Sequence, residues 1–119
     1  MQYLLMIYSN EAAEASAKPA DVQQMMAAYG AYTAALRKAG VMVGGERLHP
    51  TSTATSVRVE NGKAEVLNGP YAETREQLGG YFMIEAPDLD AAIGWAKRCP
   101  AASHGTVEVR PVWAETPST

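Results

Sequence analysis

The sequence is poor in several residue types that mark particular classes of protein. It has a single cysteine, Cys99, so no internal disulfide can form and a reducing compartment is expected. Its 10 lysines and arginines are outnumbered by 13 aspartates and glutamates, and the net charge of -3 argues against direct nucleic-acid binding. No apolar run has the length of a membrane span, and the start MQYLLMIYSN lacks the basic region of a signal peptide. We therefore expect a cytoplasmic protein without membrane contact.

Signals for metals and cofactors are also lacking. His49 precedes Pro50 and His104 precedes Gly105, and neither histidine has a second one at the spacing of a metal site. No phosphate-binding glycine loop, nucleophile elbow or dinucleotide motif occurs. The sequence predicts neither a metal nor a cofactor.

What the chain does have is the composition of one globular domain. It has 119 residues, of which 47% are apolar and 19% charged. We assign residues 1–113 to a single domain and residues 114–119 to a flexible tail. The hydrophobic patterns follow the order strand, helix, strand, hairpin, loop, strand, helix, strand. This order predicts an α+β fold, a ferredoxin-like split βαβ sandwich in which two helices cover one face of an antiparallel sheet. The bare apolar face predicts a face-to-face dimer.

Local signals fix several of these elements. Asp21 is a candidate N-cap for the first helix, Gly40 ends it, and Gly30 inside it predicts a close backbone approach. Glycine pairs at 44–45 and 79–80 predict bulges or bends in strands. The apolar face of the first helix consists of Val22, Met25, Met26, Tyr29, Tyr32 and Leu36.

Asn61-Gly62 predicts a two-residue type I′ hairpin turn. With the turn at that pair, opposite charges face each other on one side of the hairpin and apolar residues on the other, so both patterns give the same register. The predicted pairs are Glu60–Lys63, Arg58–Glu65, Val59–Ala64 and Val57–Val66.

The loop after this hairpin begins a family pattern. The stretches NGPYAETRE, LGGY, DLDAA and GTVEVRP resemble the DGPF-type branch of the YCII-related family, and the first half of the chain matches in the expected order. The resemblance covers nearly the whole chain. It implies a ferredoxin-like fold that forms a dimeric α/β barrel, with a function that is mostly unassigned.

The resemblance also implies two functional expectations. A histidine on the family's first helix and an aspartate after its hairpin suggest acid/base catalysis, and some members are associated with alternative sigma factors. In this sequence Tyr29 stands at or near the histidine position and Asn68 replaces the aspartate. A phenol and an amide cannot act as an imidazole–carboxylate pair does, but they can bind a substrate oxygen or a water.

From these observations we predict a homodimer that binds a small organic molecule in a cleft between the first helix and the sheet. Cofactor-free acid/base or lyase-like chemistry is the reaction class that the family implies. The alternative is a non-catalytic regulatory or partner-binding module associated with sigma-factor-linked transcriptional regulation. Candidate catalytic residues are Tyr29, Asn68 and His49, and candidate ligand-binding residues are Tyr29, Asn68, Gly69, Tyr71, Glu73, Arg75 and Arg110.

Each candidate also has a purely structural interpretation. Asn68, Gly69 and Pro70 are typical of a turn that ends a strand, and Glu73 and Arg75 are typical of a solvated loop. Tyr29 fits a core tyrosine whose hydroxyl has found a partner. The sequence alone leaves both interpretations open, and it equally leaves open whether the loop covers the cleft or a dimer partner.

Overall fold

Six strands and three α-helices make up residues 1–114, the part of the chain that the computed structural model describes. Apart from Ala114, the predicted tail lies outside these residues. Two short 3₁₀ turns, Thr51–Thr53 and Pro100–Ser103, complete the connections. The strands are β1 (Gln2–Ser9), β2 (Met42–Arg47), β3 (Thr55–Glu60), β4 (Lys63–Asn68), β5 (Gln77–Glu85) and β6 (Thr106–Pro111), and the helices are α1 (Glu11–Ala15), α2 (Pro19–Lys38) and α3 (Leu89–Arg98).

Four strands form the main sheet in the order β2-β5-β1-β6, and every neighbouring pair is antiparallel. Helix α2 lies between β1 and β2 in the chain, and α3 lies between β5 and β6. The α+β class is therefore confirmed, and the arrangement is compatible with a ferredoxin-like split βαβ fold. The register of strand pairing shifts next to Gly79 in β5 and between Met42 and Gly44 in β2. The bulges or bends predicted at the two glycine pairs are therefore also confirmed.

Helix α2 starts earlier than the sequence predicted. Its first residue is Pro19 and its N-cap is Lys18, whose side chain makes no capping hydrogen bond, so the assignment of Asp21 as N-cap was wrong. Proline has no N–H and a fixed φ, which suits the first helical position and moves the start upstream. The predicted end is confirmed, because the helix stops at Lys38 and Gly40 has a φ of +72°.

Alternation along β1 separates the two faces of the main sheet. Leu5, Ile7 and Ser9 are buried beneath the helices, whereas Leu4 and Met6 are half-buried on the opposite face. No helix of residues 1–114 packs against that opposite face, which we call the open face. The helix layer is held in place by the Tyr32 hydroxyl of α2, which donates a 2.8 Å hydrogen bond to the Trp95 carbonyl oxygen of α3.

The hairpin β3–β4 is a separate two-stranded sheet with the predicted register, including all four predicted pairs. Asn61 and Gly62 have φ values of 51° and 75°, as a type I′ turn requires. Every residue of β4 is exposed.

Candidate functional site

Tyr29 of α2 lies on the side of the main sheet that the helices cover. Its ring stacks on Phe82 of β5, with the ring centroids 6.5 Å apart and the planes 16° from parallel. Phe82 is buried, whereas Tyr29 is half-buried. The phenol is therefore anchored on the core while part of it faces solvent.

The hydroxyl of Tyr29 is surrounded by groups that keep it protonated. Burial is the main cause that raises the pKa of Tyr29, and the neighbouring Cys99 thiol and Glu14 carboxyl raise the pKa further. Burial likewise raises the pKa of Cys99, although the backbone of Ala101 and the Tyr29 hydroxyl oppose the shift. At neutral pH the phenol is thus a hydrogen-bond donor and not a base, and the thiol is a poor nucleophile.

Glu14, whose charge acts on Tyr29, is hydrogen-bonded to a buried serine. Ser9 is buried at the end of β1, and its hydroxyl donates a hydrogen bond to Glu14 Oε1 of α1. Asn10 fixes the start of that short helix because its side-chain oxygen accepts from the Ala13 N–H at 3.0 Å. The end of β1 and α1 therefore bring a carboxyl group close to Tyr29.

The start of α2 presents apolar side chains to solvent beside Tyr29. Val22 and Met26 precede Tyr29 by helical spacing, and they are 41% and 60% exposed. Both belong to the apolar face that the sequence indicated for this helix, but they do not cover the core, because the buried residues of α2, Tyr32 and Leu36, lie in its second half. We call Ser9, Glu14, Val22, Met26 and Tyr29 together the Tyr29 patch.

A second carboxylate holds α1 against the rest of the molecule. The two oxygens of Glu11 accept hydrogen bonds from the Thr51 N–H at 2.9 Å and the Thr51 hydroxyl at 2.7 Å. The Glu11 N–H donates to Gln77 Oε1 at 2.9 Å. Glu11 therefore connects α1, the Thr51–Thr53 turn and the start of β5.

Replacing Glu11 by alanine should lower the free energy of unfolding by about 1–3 kcal/mol, because two hydrogen bonds to a charged group are lost. Glu11→Gln keeps one acceptor oxygen and should cost about half as much. Urea unfolding followed by tryptophan fluorescence measures both effects. Equal stabilities of the alanine variant and the original protein would contradict the role given to Glu11.

The other predicted ligand-binding residues lie elsewhere. Asn68 ends β4 opposite Thr55, and Gly69, with a φ of +108°, donates its N–H to the Ala54 carbonyl oxygen at 2.7 Å. These two residues thus form the strand-ending turn at the base of the hairpin. Tyr71 is 80% exposed, and Glu73 and Arg75 follow it on the exposed loop.

Arg110 and Tyr29 are on different sides of the main sheet. Arg110 and Glu108 of β6 face Leu4 and Met6 across the ladder, so both belong to the open face. The structure therefore does not bring Arg110 together with Tyr29. His49 is exposed between β2 and the Thr51–Thr53 turn.

Two open grooves lie at other places on the surface. One, of about 680 Å³, runs between α2 and the segment after α3, and Met25, Tyr32, Arg98 and Ser103 are among its lining residues. The other, of about 430 Å³, borders β2 and is lined by Arg37 and Glu46 among others. Neither groove is lined by Tyr29. Within residues 1–114, no three histidine, cysteine, aspartate or glutamate side chains are placed to hold a metal ion.

The comparison with protein families identifies the group to which this chain is related. The model of the YCII-related domain matches residues 1–116. The chain belongs to the YCII-related family. This YCII-related chain is also 32% identical over 114 residues to an uncharacterized protein of Rhizobium meliloti (strain 1021), and the match covers 94% of this chain and 92% of that protein. The structure adds that no helix in residues 1–114 is both long and apolar enough to cross a membrane.

Sequence reasoning missed Ser9 and Glu14 of the Tyr29 patch. The stretch SNEAAEA carried a usable signal, because Asn10 before alanines and glutamates is typical of a capped helix start. A helix there would have placed Glu14 close to the end of β1.

Proposed function

We propose that this YCII-related protein binds a small, neutral organic molecule at the Tyr29 patch. The observation that carries the proposal is the pair of exposed apolar residues, Val22 and Met26, which share a face of α2 with the half-buried Tyr29. Ligand sites combine apolar surface with a small number of polar groups that fix orientation. The apolar pair would contact the body of the ligand, and the hydroxyl would donate to one of its oxygens.

Charge favours a neutral ligand over an anionic one. Glu14 is the neighbouring carboxyl group whose charge acts on Tyr29, and the whole chain carries a net charge of -3. A carboxylate ligand would be repelled by Glu14. A ketone, an alcohol or an amide with an apolar body has an acceptor for Tyr29 and no such repulsion.

In any proton transfer at this patch, Glu14 would be the group that accepts the proton. Neither Tyr29 nor Cys99 ionises readily, since burial raises the pKa of both groups. A carboxylate is the remaining acceptor, and Tyr29 would hold the substrate oxygen by hydrogen bonding. This cofactor-free scheme is the form that acid/base or lyase-like chemistry would take without the family's histidine and aspartate.

Binding is tested by a screen of neutral metabolites with amide NMR on isotope-labelled protein. Saturable shifts should centre on Ser9, Glu14 and Tyr29. Tyr29→Phe should weaken binding about tenfold, the value of one hydrogen bond, with little loss of stability. Tyr71→Phe, on the exposed loop, is the matched control and should bind as the original does. Shifts centred elsewhere, or none across a broad library, would overturn the proposal.

We further propose that the chain forms a homodimer through the open face, giving the dimeric α/β barrel that the family resemblance implies. Leu4, Met6, Tyr8, Tyr81 and Met83 are the apolar residues that support it, since all of them are half-buried on the side that lacks helices. Met6→Glu would place a charge in this interface, and sedimentation velocity should then detect monomers. A dimer that survives this substitution would contradict the proposed interface.

A second candidate function is a non-catalytic, partner-binding or regulatory module. The exposed β3–β4 hairpin supports it, because three of its valines face solvent in the single chain. A flat response in the metabolite screen would favour this candidate.

A further inference from the structure

The β3–β4 hairpin has two chemically different faces. Val57 pairs with Val66 and Val59 with Ala64, so these four side chains share one face, which we call the valine face. The three valines are 64–66% exposed. The opposite face carries the pairs Arg58–Glu65 and Glu60–Lys63 and, at the base, Ser56 and Leu67.

A hairpin of this kind lacks internal support. A two-stranded sheet on its own is marginally stable in water, and stability usually comes from a third strand or from packing against a helix. β3 and β4 pair only with each other, and every residue of β4 is exposed. The valine face therefore offers apolar surface without the packing that normally stabilises it.

The shape of the chain indicates that the hairpin extends away from the main sheet. The radius of gyration is 16.6 Å, whereas a compact chain of this length has about 13.5 Å. The chain measures 53 × 46 × 18 Å along its principal axes. The shortest dimension equals the thickness of one sheet with one layer of helices and leaves no room for a third layer. The hairpin thus lies beside the two layers and does not fold back over them.

We propose that the valine face is a docking surface for a second copy of this chain. The proposal rests on the homodimer proposed above and extends it, because the hairpin becomes part of the interface.

The area that a stable dimer needs supports this choice of partner. The hairpin strands have 6 residues each and the strands of the main sheet have 6, 9, 8 and 6. At about 3.4 Å per residue and about 4.8 Å between strands, one face of the hairpin has a flat area of about 200 Å² and the open face one of about 470 Å². A stable interface covers about 800 Å² per partner. In flat area the open face alone reaches about 60% of this value, whereas both surfaces together reach about 670 Å² and so come closer to it.

The charges on the hairpin do not favour nucleic acid or an anionic membrane as its partner. Its charged face has two basic and two acidic residues in facing pairs: Arg58 with Glu65, and Lys63 with Glu60. This balanced face would not attract nucleic acid or an anionic membrane, both of which need excess positive charge.

The test compares two neighbouring substitutions on β4. Val66→Glu places a carboxylate on the valine face, and Leu67→Glu places one on the opposite face at a residue that is 55% exposed. Val66→Glu should raise the dimer Kd about 30-fold or more, the scale of an interface hot spot. Leu67→Glu should leave the Kd unchanged. Sedimentation velocity over a concentration series gives each Kd, and circular dichroism checks the fold.

The outcomes separate this inference from the proposed dimer. A dimer whose Kd is unaffected by Val66→Glu but raised by Met6→Glu would overturn the docking surface and leave the open-face dimer standing. A monomeric original protein would overturn both. Equal effects of Val66→Glu and Leu67→Glu would also overturn the docking surface, because the effect would not depend on the face.

Hydrogen exchange on the original protein gives a second measurement that needs no variant. The amides of β3 and β4 should exchange more slowly above the dimer Kd than below it, because docking stabilises the hairpin. Exchange in the hairpin that does not depend on protein concentration would contradict the proposal.

Discussion

Gly105→Ala should lower the free energy of unfolding by about 3 kcal/mol, the upper range for overpacking in a core. A Cβ at Gly105 would overlap the carbonyl oxygen of Tyr8 and would lie 3.3 Å from Ser9. The obstacle is backbone of β1, which is hydrogen-bonded to strands on both sides and cannot move aside cheaply. Urea unfolding measures the loss, and amide shifts of Ser9 would report the strain at the Tyr29 patch.

Gly30→Ala is the matched control, and it should change the free energy of unfolding in the opposite direction. A Cβ at Gly30 would meet no atom within 4 Å, so the expected close approach there was wrong. Alanine in the interior of α2 should raise stability by about 1 kcal/mol, the difference in helix propensity. If the free energy of unfolding of Gly105→Ala lies within about 0.5 kcal/mol of the original value, the chain tolerates a side chain at the residue before β6, and the expected clash with β1 is contradicted.

These two glycines illustrate what sequence patterns can and cannot predict. The hairpin register followed from the sequence because Asn61-Gly62, the charge pairs and the valines are all local and agree with each other. The role of Gly105 depends on β6 lying against β1, a contact between residues almost a whole chain apart. The residues around Gly30 and Gly105 in the sequence do not show that Gly30 lies on an open helix surface and that Gly105 lies in a tight contact with a strand.

The candidate site was predictable only in part, for the same reason. Tyr29 followed from helical spacing and from the family resemblance. Glu14 joins it through the fold, because its charge acts on Tyr29, and Ser9 joins it through a hydrogen bond to Glu14. Arg110 was grouped with Tyr29 by residue type, but alternation along β6 places it on the open face. The sequence did carry this signal, because Val107 and Val109 alternate with Arg110 and the apolar residues of a strand are expected to face the core.

Stability should fall steeply in alkaline solution. Burial raises the pKa values of Cys99, Tyr29 and Tyr32 above their ordinary values of 9.0 for the thiol and 10.0 for the phenols. Above those values the unfolded chain has released protons that the folded chain still holds, so rising pH favours unfolding. Below about pH 9 all three groups are protonated in both states, and the folded state has its full stability. Above that pH the free energy of unfolding falls by up to about 1.4 kcal/mol per pH unit for each group.

Urea unfolding from neutral pH to about pH 11 measures this slope, and variants assign it to residues. Tyr32 is buried, so Tyr32→Phe should reduce the slope of unfolding free energy against pH by nearly the amount that one proton contributes. Tyr29 is half-buried and partly screened by water, so Tyr29→Phe should reduce the slope less. Ile84→Val removes a methylene from the core without a titrating group, so it should cost about 1 kcal/mol at every pH and keep the slope. Parallel slopes for the original protein and both tyrosine variants would mean that these phenols are solvated in the folded chain, and the alkaline loss of stability would then have to come from other groups.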